Sequence, residues 1–395
     1  MTVSKIPSWS VSIASWGHPS DPRSFSGYAK SLSSALRDHG FLGSEYNLKS
    51  LRLSDALFGA VSISRVLPFP RLTISRSWMW SERGGAAIRE RIISAKAANQ
   101  DKRPTLEIGT LVEPTFDLAP YFHLTDMTVA QARRAGQFDL AVMNERQMRW
   151  IEERQSQILQ ASSHVFALSD WTADSLRTDC GLSSDRVTVV HAGSNLYLPP
   201  GGGSVAKRPE VLFVGIDWER KGGRELVEAF RLVRQRLPAA TLRIIGCSPS
   251  LPRDLLANGI IVEGYLSRSD PVAFARLCDA YRSASCFCLP SRFDPFPNAI
   301  VEAMSVGLPC ISVDSGSRRE AIEHGVTGLL TEPGDIDGLA EAMLLILGDP
   351  TKAAEMAAKA QEHASQKFTW ESVVARIGGV VSAHLSQKSP GSTFL

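Results

Sequence analysis

From Val211 to Leu347 short apolar runs alternate with amphipathic helical stretches, and that alternation restricts the fold more than any other feature of the chain. Val211-Leu-Phe-Val214 reads as a buried strand. A helix follows over Arg224–Leu237, with Leu226, Ala229, Phe230, Val233 and Leu237 on one face. Leu242–Gly246 and Ile260–Val262 are strands, Phe274–Ser283 a helix, Ser285–Leu289 a strand. Asn298–Val306 is a helix stopped by Gly307 with Pro309 beyond. Ile311–Val313 is again a strand and Leu339–Leu347 a helix. Strands separated by helices pair in parallel and are covered on both faces.

The N-terminal half opens the same way. Trp9–Trp16 tends toward a strand, a loop with His18, Pro19, Asp21, Pro22 and Gly27 follows, and Tyr28–His39 is helical with Gly40 as stop. Thr105–Thr110, His164–Leu168 and Val187–His191 are strand-like. Asn144–Gln160 is a long polar helix, and Ser169-Asp-Trp opens another. Residues 41–104 give no clear period. The cluster Leu198-Pro-Pro-Gly-Gly-Gly-Ser204 punctuates the chain near its middle. At 395 residues two domains are expected. The expected fold class is α/β, with two Rossmann-like doubly wound domains facing a central cleft. They divide as 1–199 and 210–370, with a linker at 200–209 and a terminal segment at 371–395.

The net charge of +2 does not support an overall nucleic-acid binder. Leu51–Arg103 nevertheless holds ten Lys/Arg against Asp55, Glu82, Glu90 and Asp101, and it contains Trp78-Met-Trp80. Two readings stay open. The stretch is a solvated face lining a cleft, or it docks peripherally on an anionic membrane; the first is slightly favoured. The six cysteines fit neither a metal site nor a secreted disulfide framework, and several lie in apolar runs. The first residues lack a basic-then-apolar leader, and no apolar run approaches a membrane span. A cytoplasmic protein is expected, with the inner membrane face as a peripheral alternative through 51–103.

Ligands of open α/β sheets bind outside the carboxyl ends of the strands. The first loop there is Gly215-Ile-Asp-Trp-Glu-Arg-Lys-Gly-Gly223. Its glycines admit close backbone approach, and Lys221 stands beside a helix N-terminus, which already favours anions. It is not a P-loop, and on its own a plain turn with a solvated lysine is an equal reading. The second is Asp294-Pro-Phe-Pro-Asn-Ala-Ile-Val-Glu302, with Asn298 as the expected N-cap. Carboxylates at a helix start suit sugar and ribose hydroxyls. In isolation, surface roles for Asp294 and Glu302 are favoured. The third, Gly316–Gly328 with Arg318 and Arg319, reads as a packed helix with a tight turn.

Taken in order, these segments resemble the C-terminal domain of family 4 glycosyltransferases, retaining enzymes of the GT-B fold. The resemblance runs through Val211–Gly223, Leu242–Gly246, Val262-Glu-Gly264, the acidic-x7-Glu segment Asp294–Glu302, Ala303–Pro309, and Gly325-Val-Thr-Gly328 with Pro333. It implies that Lys221, with Gly215 and Arg220 nearby, meets the donor diphosphate, and that Glu302 holds the ribose. Asp294 sits near the transferred sugar. Backbone N–H groups around Phe296, Asn298 and Ala299 reach the sugar or diphosphate, and Gly264-Tyr265-Leu266 meets the base. Asp294 stands where the family usually has Glu, and Ile216 where it often has Arg. In the N-terminal half, Gly27 matches a glycine of the first loop. Asp126 is the first choice, and His123 the second, for the family's catalytic His-Asp position. Phe368-Thr-Trp370 resembles the start of the tail that crosses back to the N-terminal domain.

The resemblance implies transfer of a hexose, with retention, from a nucleotide-diphosphate sugar of UDP or GDP type to a sugar or lipid-linked hydroxyl, in glycan, polysaccharide or glycolipid synthesis. Lys221, Asp294, Asp126 and His123 are the catalytic candidates. No metal and no resident cofactor are expected. The alternatives are a non-catalytic sugar-nucleotide-binding subunit, or a phosphorylase or epimerase on the same fold. Product formed from a nucleotide sugar without added acceptor separates the phosphorylase or epimerase from the transferase.

Overall fold

A computed structural model of the protein describes residues 9–21, 27–48, 82–109, 120–136, 145–196 and 209–387. The chain divides into two compact units, Met1–His191 with Trp370–Leu395, and Ala192–Thr369. The boundary thus falls at Ala192, ahead of the expected linker, most of which lies outside the described residues. So do 51–81, with Trp78 and Trp80.

The first unit holds six parallel strands in the order β2-β1-β3-β4-β5-β6. They are β1 Val11–Ser15, β2 Leu42–Asn47, β3 Thr105–Ile108, β4 Tyr121–Thr125, β5 His164–Ala167 and β6 Val187–Val189. Helix Tyr28–Asp38 packs Tyr28, Ala29, Leu32 and Leu36 inward, the face its periodicity predicts. Helix Glu82–Ala98, unread in the sequence, buries Ile88 and Ile92 against Ala14, Tyr46 and Tyr121. Lys96 of the basic stretch is a core residue. Its ammonium lies 3.6 Å from Asp101 and donates to the Arg103 carbonyl at 2.7 Å.

The terminal helix Trp370–Gln387 belongs to this unit. Trp370 packs edge-on to Tyr28, with ring centroids 5.0 Å apart. Arg376 Nη1 donates to the Val189 carbonyl at 3.0 Å, and the His384 ring lies edge-on to Phe122 at 5.4 Å.

The second unit repeats the architecture in the order β12-β11-β10-β7-β8-β9, all parallel. Its strands are β7 Glu210–Val214, β8 Thr241–Ile245, β9 Ile260–Gly264, β10 Cys286–Leu289, β11 Cys310–Val313 and β12 Gly328–Thr331. The central strands β7 and β10 are apolar almost throughout, as both faces are covered. Cys286, Cys288 and Cys310 are buried, free thiols in β10 and β11. Among the described residues no helix is long and apolar enough to cross a membrane.

Candidate functional site

In the second unit the chain runs from β7 through β8 to β9 on one side, then restarts with β10 on the other side of β7. The strand order reverses between β7 and β10, where doubly wound sheets place their ligands. The carboxyl ends of these two strands feed the loops Gly215–Gly223 and Pro290–Asn298. Both loops that the sequence singles out therefore meet at the switch point.

They are joined by specific contacts. Gly222 has φ 75°, and a Cβ there would collide with the Pro290 carbonyl, so the position needs glycine twice over. The Arg292 N–H donates to the Arg220 carbonyl at 3.0 Å, and Arg220 Nη1 to the Phe293 carbonyl at 3.0 Å. From the other side Ser317 Oγ and Arg318 Nη1 donate to the Asp294 carbonyl at 3.2 and 3.3 Å. Between them Lys221 Nζ lies 2.5 Å from Asp294 Oδ2.

The electrostatics follow from this packing. The Lys221 and Asp294 side chains are 14% and 6% exposed. Burial pushes the Lys221 pKa down, and the Asp294 carboxylate opposes that shift. Arg318 is buried and its pKa is likewise lowered by burial, against Asp294 and Asp314. Helix Gly223–Arg236 starts at this point with no side-chain cap on its first amides. Its one acidic first-turn residue, Glu225, is drawn to Arg292 Nε at 2.7 Å. The Gly223 N–H donates to the Trp218 carbonyl at 2.9 Å, and a helix start without a side-chain cap beside Lys221, Arg220 and Arg318 suits an anion at the amides that follow.

Glu302 is 1% exposed, so it is no surface charge. Arg268 Nη2 donates to both its oxygens at 2.8 Å, and Tyr281 OH to Oε2 at 3.1 Å. Burial works against the Arg268 charge, but the Glu302 carboxylate outweighs it and holds the pKa up. Burial, then Glu302, pushes the Tyr281 phenol well up. Neither Arg268 nor Tyr281 carries a sequence motif.

The remaining predicted residues divide between the units. Gly264 closes β9 with φ 73°, Tyr265 beyond it is 58% exposed, and Leu266 is buried. Ile216 is 72% exposed in the first loop. Phe296 is buried against Phe368, with ring centroids 6.2 Å apart, and Ala299 is half-buried in the helix's first turn. Asn298 is not the N-cap. Pro297 holds that place, and Asn298 is the first helical residue of Asn298–Ser305, its Oδ1 buried without a hydrogen-bond partner. The Asn298 N–H already donates to the Phe296 carbonyl at 2.9 Å.

In the first unit Gly27 caps helix Tyr28–Asp38 with φ 87°. Asp126 follows the end of β4, half-buried, its carbonyl accepting from Thr172 Oγ1 at 2.6 Å. His123 is fully buried within β4. Its Nδ1 lies 2.6 Å from Ser162 Oγ and its Nε2 3.2 Å from Glu107 Oε2. Both ring nitrogens are engaged in the core, so the geometry makes His123 a packing residue and leaves Asp126 at the strand end.

A groove of about 640 Å³ runs beside edge strand β12. Its Arg236 pairs with exposed Glu341, and no buried charge converges on it. The switch point is the chemically organised site.

Residues 208–349 match the family described as "Glycosyl transferases group 1". The chain is 26% identical over 297 residues to glycogen synthase of Mycobacterium tuberculosis, covering 71% of this chain and 68% of the relative. It is 28% identical over 234 residues to D-inositol 3-phosphate glycosyltransferase of Rhodococcus jostii, covering 55% of this chain and 52% of the relative. Sucrose-phosphate synthase from Thermosynechococcus elongatus superposes with a TM-score of 0.71 at 17% identity, over 96% of this chain and 100% of that one. Anabaena HepE in complex with UDP and glucose superposes with a TM-score of 0.63 at 18% identity, over 95% and 100%. The superpositions speak to the fold, and the matched segment contains both switch-point loops. Residues 208–349 thus carry the match to group 1 glycosyltransferases, and the chain has the GT-B fold of the superposed structures.

Proposed function

We propose that the protein is a retaining hexosyltransferase of the family 4 kind, moving a hexose from a nucleotide-diphosphate sugar to a hydroxyl of a sugar or lipid-linked acceptor. One observation carries the reading: a lysine 14% exposed, with two arginines near it, stands at a helix start without a side-chain cap at the switch point. That arrangement suits a diphosphate better than any neutral ligand. UDP in the HepE complex favours a donor of UDP type, with GDP next.

In the proposed reaction the diphosphate lies on the first amides of helix Gly223–Arg236, and the ribose against Glu302. Asp294 accepts from the sugar's hydroxyls. The bond between the anomeric carbon and the diphosphate oxygen breaks while the acceptor oxygen bonds to the same face. The acceptor's proton passes to the departing diphosphate oxygen. Lys221 stabilises the charge that develops there, in place of a metal ion. Asp126 orients the acceptor. The free thiols and the use of nucleotide sugars favour the cytosol as its setting.

The first test is thermal stabilisation by UDP, GDP, ADP and their sugars, with and without divalent metal. At a ligand concentration of about 100 times Kd, binding adds roughly 2.7 kcal/mol. One nucleotide is expected to stand out without metal, and Lys221→Ala to lower transfer about 100-fold or more. Normal turnover in that variant, or no shift from any nucleotide, overturns the assignment.

A further inference from the structure

We infer that Arg268 is the second half of the ribose reader: Glu302 takes one hydroxyl of the donor's diol and Arg268 meets the other. This deepens the nucleotide-sugar reading and rests on it.

A carboxylate offers about four lone-pair sites. Arg268 Nη2 occupies one on each Glu302 oxygen at 2.8 Å, and Tyr281 OH takes a second on Oε2. One site remains, on Oε1. Two adjacent ribose hydroxyls cannot both donate there. One donates to Oε1, and its neighbour must find a different partner. Arg268 is placed to supply it. Guanidinium has five N–H donors, and Nη2 spends its contacts on Glu302. Nη1 reaches the Asn195 carbonyl only at 3.5 Å, and the side chain is 26% exposed. It therefore combines a fixed head with donors left for a ligand. A diol matched to one acceptor and one donor is held in a single orientation, which a lone carboxylate cannot enforce.

Arg268 also holds the carboxylate in place. Glu302 is 1% exposed, and a buried carboxylate without a cation is unstable. Arg268 lies 34 residues from Glu302, on the turn between β9 and helix Pro271–Ser283, next to Tyr265 and Leu266, where the base is expected.

The experiment is titration calorimetry with the nucleoside diphosphate that stabilises the unsubstituted protein, beside its 2′-deoxy and 3′-deoxy analogues. These are run on the unsubstituted protein, Arg268→Lys and Arg268→Met. The unsubstituted protein is expected to bind the ribonucleotide about tenfold more tightly than each analogue, the scale of one charge-assisted hydrogen bond. Arg268→Met is expected to erase the preference against one analogue and, because Glu302 loses its cation, to weaken it against the other. In donor kinetics its KM rises about tenfold while kcat falls less than about threefold. Arg268→Lys, which keeps a cation, restores part of the lost discrimination; it also serves should the Met variant fail to fold. Discrimination against both analogues unchanged in the variants, or a fall in kcat at constant KM, overturns the assignment. No binding of any nucleoside diphosphate by the unsubstituted protein overturns the donor reading itself, and this one with it.

Discussion

Lys221 and Asp294 stand 2.5 Å apart in the resting site, both largely withdrawn from water. In the proposed reaction a diphosphate at the helix start competes with Asp294 for the ammonium, and Asp294 is freed toward the sugar as Lys221 turns to phosphate. The same pairing changes what a substitution costs. Removing one partner of a buried pair leaves the other uncompensated. Lys221→Ala is expected to lower stability by about 3 kcal/mol as well as activity. Combining it with Asp294→Asn is expected to return at least about 1 kcal/mol of that loss while transfer stays as low as in Lys221→Ala. Urea denaturation of the three variants measures it, and strict additivity would show that the pair is not coupled. Lys221, Asp294 and Glu302 are singled out only by the ordered resemblance of their loops, since read alone Lys221 is evenly balanced and surface roles are favoured for Asp294 and Glu302. Arg268 and Tyr281 are not legible in the sequence at all. They lie 34 and 21 residues from Glu302, and only the turn after β9 and the helix behind it bring them to its carboxylate.

Among the elements, most central strands announced themselves, while interior β4 and two edge strands did not. β7 and β10 are apolar runs covered on both faces. β2 at one sheet edge reads Leu-Gly-Ser-Glu-Tyr-Asn and is mostly half-buried; β12 at the other sheet's edge is four residues beginning with glycine. Helix Pro350–Lys367 buries only Met356, Ala360 and Ala364, a stripe too small to show as periodicity. β5 carries a titratable group with a sign that can be tested. Burial lowers the His164 pKa from 6.5 to about 4, with His384 and Arg186 adding to the effect. Its Nε2 lies 2.9 Å from Thr188 Oγ1 on β6. The folded value is below the unfolded one, so the neutral ring's contribution is complete above pH 6.5 and is lost as pH falls toward 4. The loss is about 3 kcal/mol. Stability of His164→Gln is expected to fall less steeply than that of the unsubstituted protein across this window. Denaturation midpoints at half-unit pH steps, giving parallel curves, would rule the effect out.

At the scale of the molecule, the first unit is completed by helix Trp370–Gln387, which follows the whole second unit in the chain. The chain leaves this unit at Ala192 and returns at Trp370, so the faces of Trp9, Tyr28 and Phe122 that meet this helix are covered only by residues far away in sequence. Neither the apolar periodicity of the opening strand and helix nor any local motif says what covers them; only the resemblance at Phe368-Thr-Trp370 pointed there. Two neighbouring glycines in the middle of Trp370–Gln387 report on that docking. A helix interior pays about 1 kcal/mol for each glycine relative to alanine. At Gly378 a Cβ would run into the indole of Trp9, whereas at Gly379 it would meet nothing within 4 Å. Gly379→Ala is therefore expected to stabilise the protein by about 0.5–1 kcal/mol. Gly378→Ala is expected to destabilise it by about 1–3 kcal/mol, because the ring must shift within a packed interior. Denaturation followed by tryptophan fluorescence reads both. Equal gains from the two substitutions would mean that the helix does not rest on Trp9, whereas opposite signs one residue apart can come only from a helix held face-down on the first unit.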